Sequence, residues 1–125
     1  MSFLGLDYGI KHIGVAVAAG PLAEPLTTLP ASRAFKLINK LVDKRHIDTI
    51  IIGRPDKSLK KAFENFINSL EIRNSKLEIV DETLSSYDAR VHLQHTTQKR
   101  RKQKEHSVSA AIILQSWLDS HPQKL

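Results

Sequence analysis

The first 18 residues contain two short apolar runs, and this pattern constrains the fold more than any other part of the chain. The first run, residues 3–6, ends in the carboxylate of Asp7, and a turn containing Gly9 leads to a second run at 13–18. Two such runs separated by a short turn predict a β-hairpin with strands at 2–7 and 12–19. The hairpin would carry one acid at the end of its first strand.

Asp7 is therefore the first candidate site residue. A carboxylate among apolar residues is costly to bury unless a cation holds it, and a divalent metal is one candidate for that cation. An aspartate that accepts hydrogen bonds from turn amides near Gly9 is an equally weighted alternative. The local sequence leaves both explanations open.

Length and composition limit the class of protein. A chain of 125 residues suits one domain with one core, so we expect a single domain over residues 1–125. The absence of cysteine excludes disulfides and thiolate metal ligands. No apolar stretch approaches the ~20 residues that span a bilayer, and no signal peptide is visible, so we expect a cytoplasmic protein with no membrane partner.

The charge balance favours a polyanionic partner. Lysine and arginine number 19 against 13 acidic residues, giving a net charge of +6. Such an excess attracts nucleic acid through counterion release and long-range attraction. The densest basic run predicts a phosphate-contacting loop between two helices, with a merely solvated charge run as the alternative. Its basic residues are Lys99, Arg100, Arg101, Lys102 and Lys104.

Hydrophobic periodicity predicts the remaining elements. They are a strand at 26–29, a helix at 32–45 capped by Ser32, a strand at 48–53, a helix at 59–70, a strand at 77–82, and helices at 86–94 and 107–120. This order predicts an α/β fold with a mixed five-stranded sheet and helices on both faces. Three strands would form an antiparallel meander, and two would be parallel.

Two acids are expected to meet at one edge of this sheet. The carboxyl ends of parallel strands gather at the same edge, Asp7 ends the first strand, and Glu82 ends the last. Adjacent strand residues point to opposite faces, so we choose Glu82 over Asp81. Two converging carboxylates suit a hard divalent cation such as Mg²⁺, which would support hydrolysis of phosphodiester bonds.

The histidines give no comparable metal signal. His92 and His95 are three residues apart on a predicted helix, but no third ligand has a suitable spacing for structural zinc. His12, His46 and His121 are interpreted as exposed polar residues. The predicted metal site therefore rests on carboxylates.

Four segments, in order along nearly the whole chain, make the sequence resemble the YqgF family, described as Holliday junction resolvases or pre-16S ribosomal RNA nucleases. They are Leu-Gly-Leu-Asp-Tyr-Gly at 4–9 with residues 11–16, Ile-Ile-Gly-Arg-Pro at 51–55, Val-Asp-Glu-Thr-Leu-Ser-Ser at 80–86, and Ser-Ala-Ala-Ile-Ile-Leu-Gln at 109–115. The resemblance implies a ribonuclease H-like fold, which agrees with the predicted strand order.

The resemblance also implies a catalytic and metal-binding set. Asp7 matches the family's first-strand acid, and Glu82 matches the glutamate of its Asp-Glu segment. His106 stands where the family has a third acid, and Glu105 is a neighbouring substitute. The implied cofactor is Mg²⁺ or Mn²⁺. A histidine there can bind a divalent ion or handle a proton; alternatively, it weakens the site.

Other positions bear on nucleic-acid binding. Lys11 and Arg54 fall within matched segments and are expected to contact phosphates, together with the basic residues of 99–104. Thr83 replaces a usual arginine, and the segment after Pro55 is shorter and lacks a glycine. Thr83 therefore lacks the phosphate contact or carboxylate partner that an arginine would provide. The role of the segment after Pro55 as a substrate-facing loop is also less well supported.

The implied activity is metal-dependent endonucleolytic hydrolysis of structured nucleic acid, most favourably at the 5′ end of pre-16S rRNA during ribosome biogenesis. One alternative is resolution of Holliday junctions in branched DNA, which needs two coordinated cuts and hence a dimer. Another is a catalytically weakened nucleic-acid-binding module. A relative of the actin and sugar-kinase ATPases shares the Asp-x-Gly pattern, but 125 residues are too few for their two large domains. We expect a monomer or a weak homodimer.

Overall fold

The computed structural model describes residues 1–72, 74–81 and 98–122, except the side chains of 98–104. The strands are β1 (Phe3–Tyr8), β2 (His12–Ala18), β3 (Glu24–Pro30), β4 (Thr49–Arg54) and β5 (Lys76–Asp81). The helices are α1 (Ala31–Arg45), α2 (Lys60–Ser69) and α3 (Gln98–Ser120), and a 3-10 turn at Lys57–Leu59 precedes α2. None of the described helices has the length and apolar character required to cross a membrane.

The strands form one sheet in the order β3-β2-β1-β4-β5. The first three strands are an antiparallel meander, whereas β4 runs parallel to β1 and β5 runs parallel to β4. This arrangement confirms the predicted mixed five-stranded sheet. Because β1, β4 and β5 share a direction, their carboxyl ends lie at the same edge.

Strand alternation divides the core into two clusters, one on each face of the sheet. The first cluster contains the large side chains that pack with α1 and α2, among them Leu4, Leu6, Ile38, Ile50, Ile52, Phe63 and Phe66. The second contains the side chains that pack with α3, among them Phe3, Ala16, Ile51, Ile113, Leu114 and Trp117. Successive isoleucines of β4 thus enter opposite clusters, as expected for a strand covered on both faces.

Helix α3 lies unusually close to the sheet because two strand positions are glycine. An added Cβ at Gly5 would lie 2.7 Å from the Cβ of Leu114 and 2.9 Å from the carbonyl oxygen of Ala110. At Gly14, an added Cβ would lie 1.8 Å from the carbonyl oxygen of His106. The backbone of α3 therefore rests directly on β1 and β2.

Two polar anchors also fix α3 along the sheet. The Gln115 side chain accepts a hydrogen bond from the Ala23 amide at 2.9 Å and donates one to the Pro21 carbonyl at 2.8 Å. Two residues later, the Trp117 indole donates to the carboxylate of Glu78 on β5. These bonds connect α3 to the segment before β3 and to the edge strand β5. They fix the position of the helix along the sheet.

The predicted cap of α1 is wrong. The helix begins at Ala31, one residue before Ser32, and no side chain caps it. Strand β3 continues as far as Pro30, so the chain enters the helix without an intervening loop. The Ala31 amide, one of the unpaired donors of the first turn, donates instead to the Lys11 carbonyl at 2.9 Å.

The interpretation of residues 99–104 as a loop is also wrong. They belong to α3, which begins at Gln98, well before the predicted start at 107. Lysine, arginine and glutamine are good helix formers, and the run contains no glycine or proline, so a dense charge run does not end a helix. The predicted helix at 86–94 and the last residue of the predicted strand at 77–82 lie outside the described residues.

Candidate active site

Asp7 occupies the centre of the sheet near the carboxyl end of β1. It pairs with Gly14 on β2 and with Gly53 on β4, so neither neighbouring strand places a side chain beside it. Strand alternation places Asp7 on the α3 face, because Phe3 on that face is four residues earlier. Asp7 is only 6% exposed, which makes it a buried acid flanked by two residues without side chains.

Among the described side chains, the imidazole of His106 faces this carboxylate. The Nδ1 atom of His106 lies 3.7 Å from Oδ2 of Asp7. The close approach of α3 to Gly14 places the His106 backbone against the sheet, and from there its side chain reaches Asp7. The structure therefore brings together the first and third residues of the expected catalytic set.

The two side chains differ in their access to solvent. The Asp7 side chain is 9% exposed, whereas that of His106 is 36% exposed. In the described part of the chain, no lysine or arginine nitrogen lies within 4.0 Å of the Asp7 carboxylate. The described side chains therefore compensate this buried carboxylate incompletely, because burial removes its water and His106 is charged only when protonated.

The pKa of His106 is raised above its ordinary value of 6.5. The main cause is the neighbouring Asp7 carboxylate, which favours the protonated ring through its polar oxygen and its negative charge. Glu105 contributes a smaller attraction, and partial burial of the ring opposes these effects. Both acids stabilise the imidazolium form.

His12 is a neighbour of the site that the sequence interpretation missed. Its ring centroid is 5.8 Å from that of His106, and the ring planes are inclined by 30°. His12 is exposed, as predicted, but strand alternation places it on the same face as Gly14. The pairing register of the hairpin could have revealed this position. Gly14 pairs with Asp7, and His12 precedes Gly14 by two residues, so both lie on the face of Asp7.

Glu82, the second expected acid, lies outside the described residues. Strand β5 ends at Asp81, and its Val80 lies in the second cluster, across Gly53 from Asp7. Asp81 lies on the opposite face, where its carboxylate is 3.9 Å from an Arg54 nitrogen and both side chains are largely exposed. The part of β5 that precedes Glu82 therefore reaches the edge where Asp7 is found.

The expected phosphate-binding residues have different positions. Lys11 is exposed in the β1–β2 turn, four residues after Asp7. Arg54 follows Gly53 at the same sheet edge, and strand alternation turns it toward the face opposite Asp7. The basic residues of 99–104 form the part of α3 that leads to His106. Their contact with nucleic acid stays a prediction.

The donors around Asp7 suit a divalent cation. They combine a buried carboxylate oxygen, which has no lysine or arginine partner among the described side chains, with an imidazole nitrogen 3.7 Å away. Within residues 1–72, 74–81 and 98–122, no group of three or more histidine, aspartate or glutamate side chains is arranged to hold a metal. The described residues thus supply two adjacent donors, and the further acid expected from the sequence, Glu82, lies outside them.

Comparison with known proteins shows the family to which the chain belongs. The sequence model of the RuvX family, described as Holliday junction resolvase, matches residues 1–120. A Chlamydia pneumoniae protein named "Putative pre-16S rRNA nuclease" is 36% identical, covering 99% of this chain and 93% of that protein. A protein of the same name from Chloroflexus aggregans is 35% identical, covering 95% of this chain and 94% of that protein.

Solved structures share the fold despite low sequence identity. Thermus thermophilus RuvC in complex with a Holliday junction substrate has a TM-score of 0.65 at 12% identity, covering 98% of this chain and 96% of that chain. Fowlpox virus resolvase with Holliday junction DNA has a TM-score of 0.66 at 14% identity, covering 96% of this chain and 98% of that chain. These matches confirm the predicted fold class.

Proposed function

Because the chain belongs to the RuvX family, we propose that it is a divalent-metal-dependent endonuclease that hydrolyses phosphodiester bonds in structured nucleic acid. The observation that carries this proposal is the pair formed by Asp7 and His106. Asp7 is buried without a lysine or arginine partner in the described part of the chain, and an imidazole nitrogen faces it at 3.7 Å. Such a pair of donors suits a cation between them and a phosphate at the sheet edge.

Three residues would hold the cation, and each has a separate task. Asp7 supplies a carboxylate oxygen from the centre of the sheet, and His106 supplies a ring nitrogen from α3. Glu82, which follows the last described residue of β5, would supply a second carboxylate. When bound, a divalent cation provides Lewis-acid stabilisation of the charge that develops on phosphodiester oxygens.

Basic residues around this edge would bind the nucleic-acid backbone. Lys11 lies in the turn directly after β1, and Arg54 follows β4. The basic run at 99–104 lies on α3 just before His106, so phosphates held there would be near the proposed cation. These residues neutralise phosphate charge without reading bases, which suits recognition of a folded nucleic acid by its shape.

We favour the 5′ end of pre-16S rRNA as the substrate. Relatives that align over 99% and 95% of this chain are named for pre-16S rRNA, and the 5′ end is the part of our proposal that goes beyond their name. Branched DNA is the second candidate, because the family description and the structural neighbours both refer to Holliday junctions. A monomer or weak homodimer suffices to trim RNA, whereas symmetrical resolution of a junction needs two sites.

A cleavage assay with two substrates tests the proposal. One is an RNA that joins the 16S leader to the mature 5′ end, and the other is a four-way DNA junction, each with Mg²⁺ or Mn²⁺. We expect Asp7→Asn to reduce cleavage by about 100-fold or more, since loss of even an outer-shell group commonly costs 10–100-fold. Nucleic-acid binding should remain or become tighter, because the variant removes a negative charge and almost no volume.

Asp43→Asn is the matched control for this assay. It removes the same charge from an exposed position on α1, on the other face of the sheet, and should leave cleavage unchanged. If the wild-type protein binds both substrates but cuts neither with either metal, the protein is a binding module and the proposal fails. If the protein cleaves the DNA junction and not the RNA, the proposed nuclease activity is supported and the proposed substrate is wrong.

A further inference from the structure

We infer that His106 makes this site select divalent ions that accept nitrogen ligands, so that Mn²⁺ binds in preference to Mg²⁺. The inference rests on the proposed function, because it concerns the cation of that same site. It specifies the class of ion from the donor atoms of this chain.

The two adjacent donors differ in chemical type. Asp7 offers a carboxylate oxygen, and His106 offers Nδ1 at 3.7 Å from it. Mg²⁺ is a hard cation that strongly prefers oxygen ligands, whereas first-row transition ions accept imidazole readily. A histidine at a position where the resemblance implies an acid therefore exchanges an oxygen donor for a nitrogen donor.

The imidazole is already held near Asp7 by the packing of α3. The carbonyl oxygen of His106 lies where a side chain at residue 14 would be, so its backbone cannot move closer to the sheet. Its Cε1 atom lies 3.7 Å from the position of an added Cβ at Gly9. A donor that is fixed before binding loses little freedom when the ion arrives.

The hydrogen-bonding anchors of α3 extend this restraint along the helix. Gln115 is bonded to the Pro21 carbonyl and the Ala23 amide, so the helix cannot slide and carry His106 away from Asp7. A cation at the site must therefore bind beside the imidazole nitrogen of His106 in its present position. An ion that excludes nitrogen would leave this donor unused.

A metal-binding measurement on the purified, metal-free protein tests the inference. The free Mn²⁺ concentration is followed by its EPR signal during titration, and bound Mn²⁺ is then displaced with Mg²⁺ to give the ratio of the two Kd values. The principal variant is His106→Asn, because its side-chain amide can present an oxygen near the position of Nδ1 without adding charge. His106→Asp is the second variant.

The expected result is a loss of selectivity in both variants. The preference for Mn²⁺ over Mg²⁺ should fall by about tenfold or more, because removal of even an outer-shell partner commonly costs 10–100-fold. His12→Asn is the matched control: it changes the neighbouring histidine and should leave the ratio unchanged. Circular dichroism melts establish that each variant is folded.

Pulsed EPR of the bound Mn²⁺ gives a readout that does not depend on affinity. A coordinated imidazole produces modulation from ¹⁴N, which should be present in the wild-type protein and in His12→Asn. It should be absent in His106→Asp.

Two outcomes separate the failure of this inference from the failure of the proposed function. If Asp7→Asn abolishes Mn²⁺ binding but His106→Asn leaves both selectivity and modulation unchanged, the imidazole is not a ligand and the nuclease proposal stands. If Asp7→Asn retains the wild-type Mn²⁺ site, the cation binds elsewhere and both proposals fail. A wild-type protein that binds Mn²⁺ and Mg²⁺ equally well also overturns the inference.

Discussion

The two faces of the sheet are built from different residues and have different structural roles. The face toward α1 and α2 carries large apolar side chains, such as Leu6 and Ile52, which fill the space between sheet and helices. On the central strands, the face toward α3 carries Gly5, Gly14 and Ala16, so the helix backbone lies close to the strands. The first face stabilises the fold by burying large apolar side chains, and the second fixes the position of α3 relative to the strands.

The acid is found on the face with small residues. Asp7 lies between Gly14 and Gly53, and His106 reaches it because α3 can approach without obstruction. The comparison shows that a site at a sheet edge can depend on the absence of side chains as much as on the donors themselves. Substitutions on the two faces should therefore have different consequences.

Gly14→Ala should have the largest effect. The added Cβ would lie 1.8 Å from a backbone oxygen of α3, so no side-chain rotation can relieve the contact. We expect a loss of about 4 kcal/mol in the free energy of unfolding, at the upper end for point substitutions, and a displaced His106. Urea denaturation measures the loss, and Mn²⁺ titration measures damage to the site. Gly20→Ala is the control, because nothing lies within 4 Å of its added Cβ.

A Gly14→Ala variant with wild-type stability and metal binding would contradict the role assigned to the small-residue face. The close approach of α3 would then be unnecessary for either property.

Ile52→Ala tests the opposite face and should have the second largest effect. The side chain is fully buried in the first cluster, and its truncation should cost about 3 kcal/mol through lost burial and a residual cavity. The affinity of the folded protein for Mn²⁺ should remain that of the wild type, because Ile52 points away from Asp7. Urea denaturation and metal titration on the same sample separate the two properties. Ile79→Ala, truncated at a 41% exposed position on that face, should lose much less.

If Ile52→Ala weakens metal binding as severely as Gly14→Ala, the assignment of different roles to the two faces is incorrect.

The smallest expected effect is the pH dependence of stability contributed by His106. Its raised pKa means that the folded chain binds a proton there more tightly than the unfolded chain does. This stabilisation is fully present below the ordinary pKa of 6.5 and is lost as the pH rises through the raised value. Because the side chain is 36% exposed, solvent screening limits the contribution to about 0.5 kcal/mol.

The measurement compares unfolding of metal-free wild-type protein and His106→Asn in urea at pH 5.5 and pH 8.5. The difference in stability between the two proteins should favour the wild type more at the lower pH. A difference that is constant with pH would show that the imidazole and the Asp7 carboxylate do not interact in the folded chain.

The fold was largely predictable because its signals are local. The apolar stripe containing Phe63 and Phe66 and the β-branched run at 50–52 predict their elements from spacing alone, and all of these residues are buried. Start and end signals were less reliable. Ser32 is a good capping residue, yet β3 continues into α1 and the Lys11 carbonyl takes the first amide.

The candidate site was predictable only in part. Asp7 stands out because an acid in an apolar run needs a reason, but His106 came from a family pattern and not from its own surroundings. His12 was missed because its position depends on the pairing of β1 with β2, which a list of residues does not contain. The glycines beside Asp7 gain their meaning only when three strands are aligned.

The contact between the His106 carbonyl and Gly14 has a consequence for how this protein can evolve. The main chain at residue 106 is held by the strand below it, so its location does not depend on which side chain it carries. A single codon change can therefore exchange one donor atom for another while the surrounding architecture stays intact. Lineages living with different supplies of trace elements could adapt the same scaffold by altering this one residue.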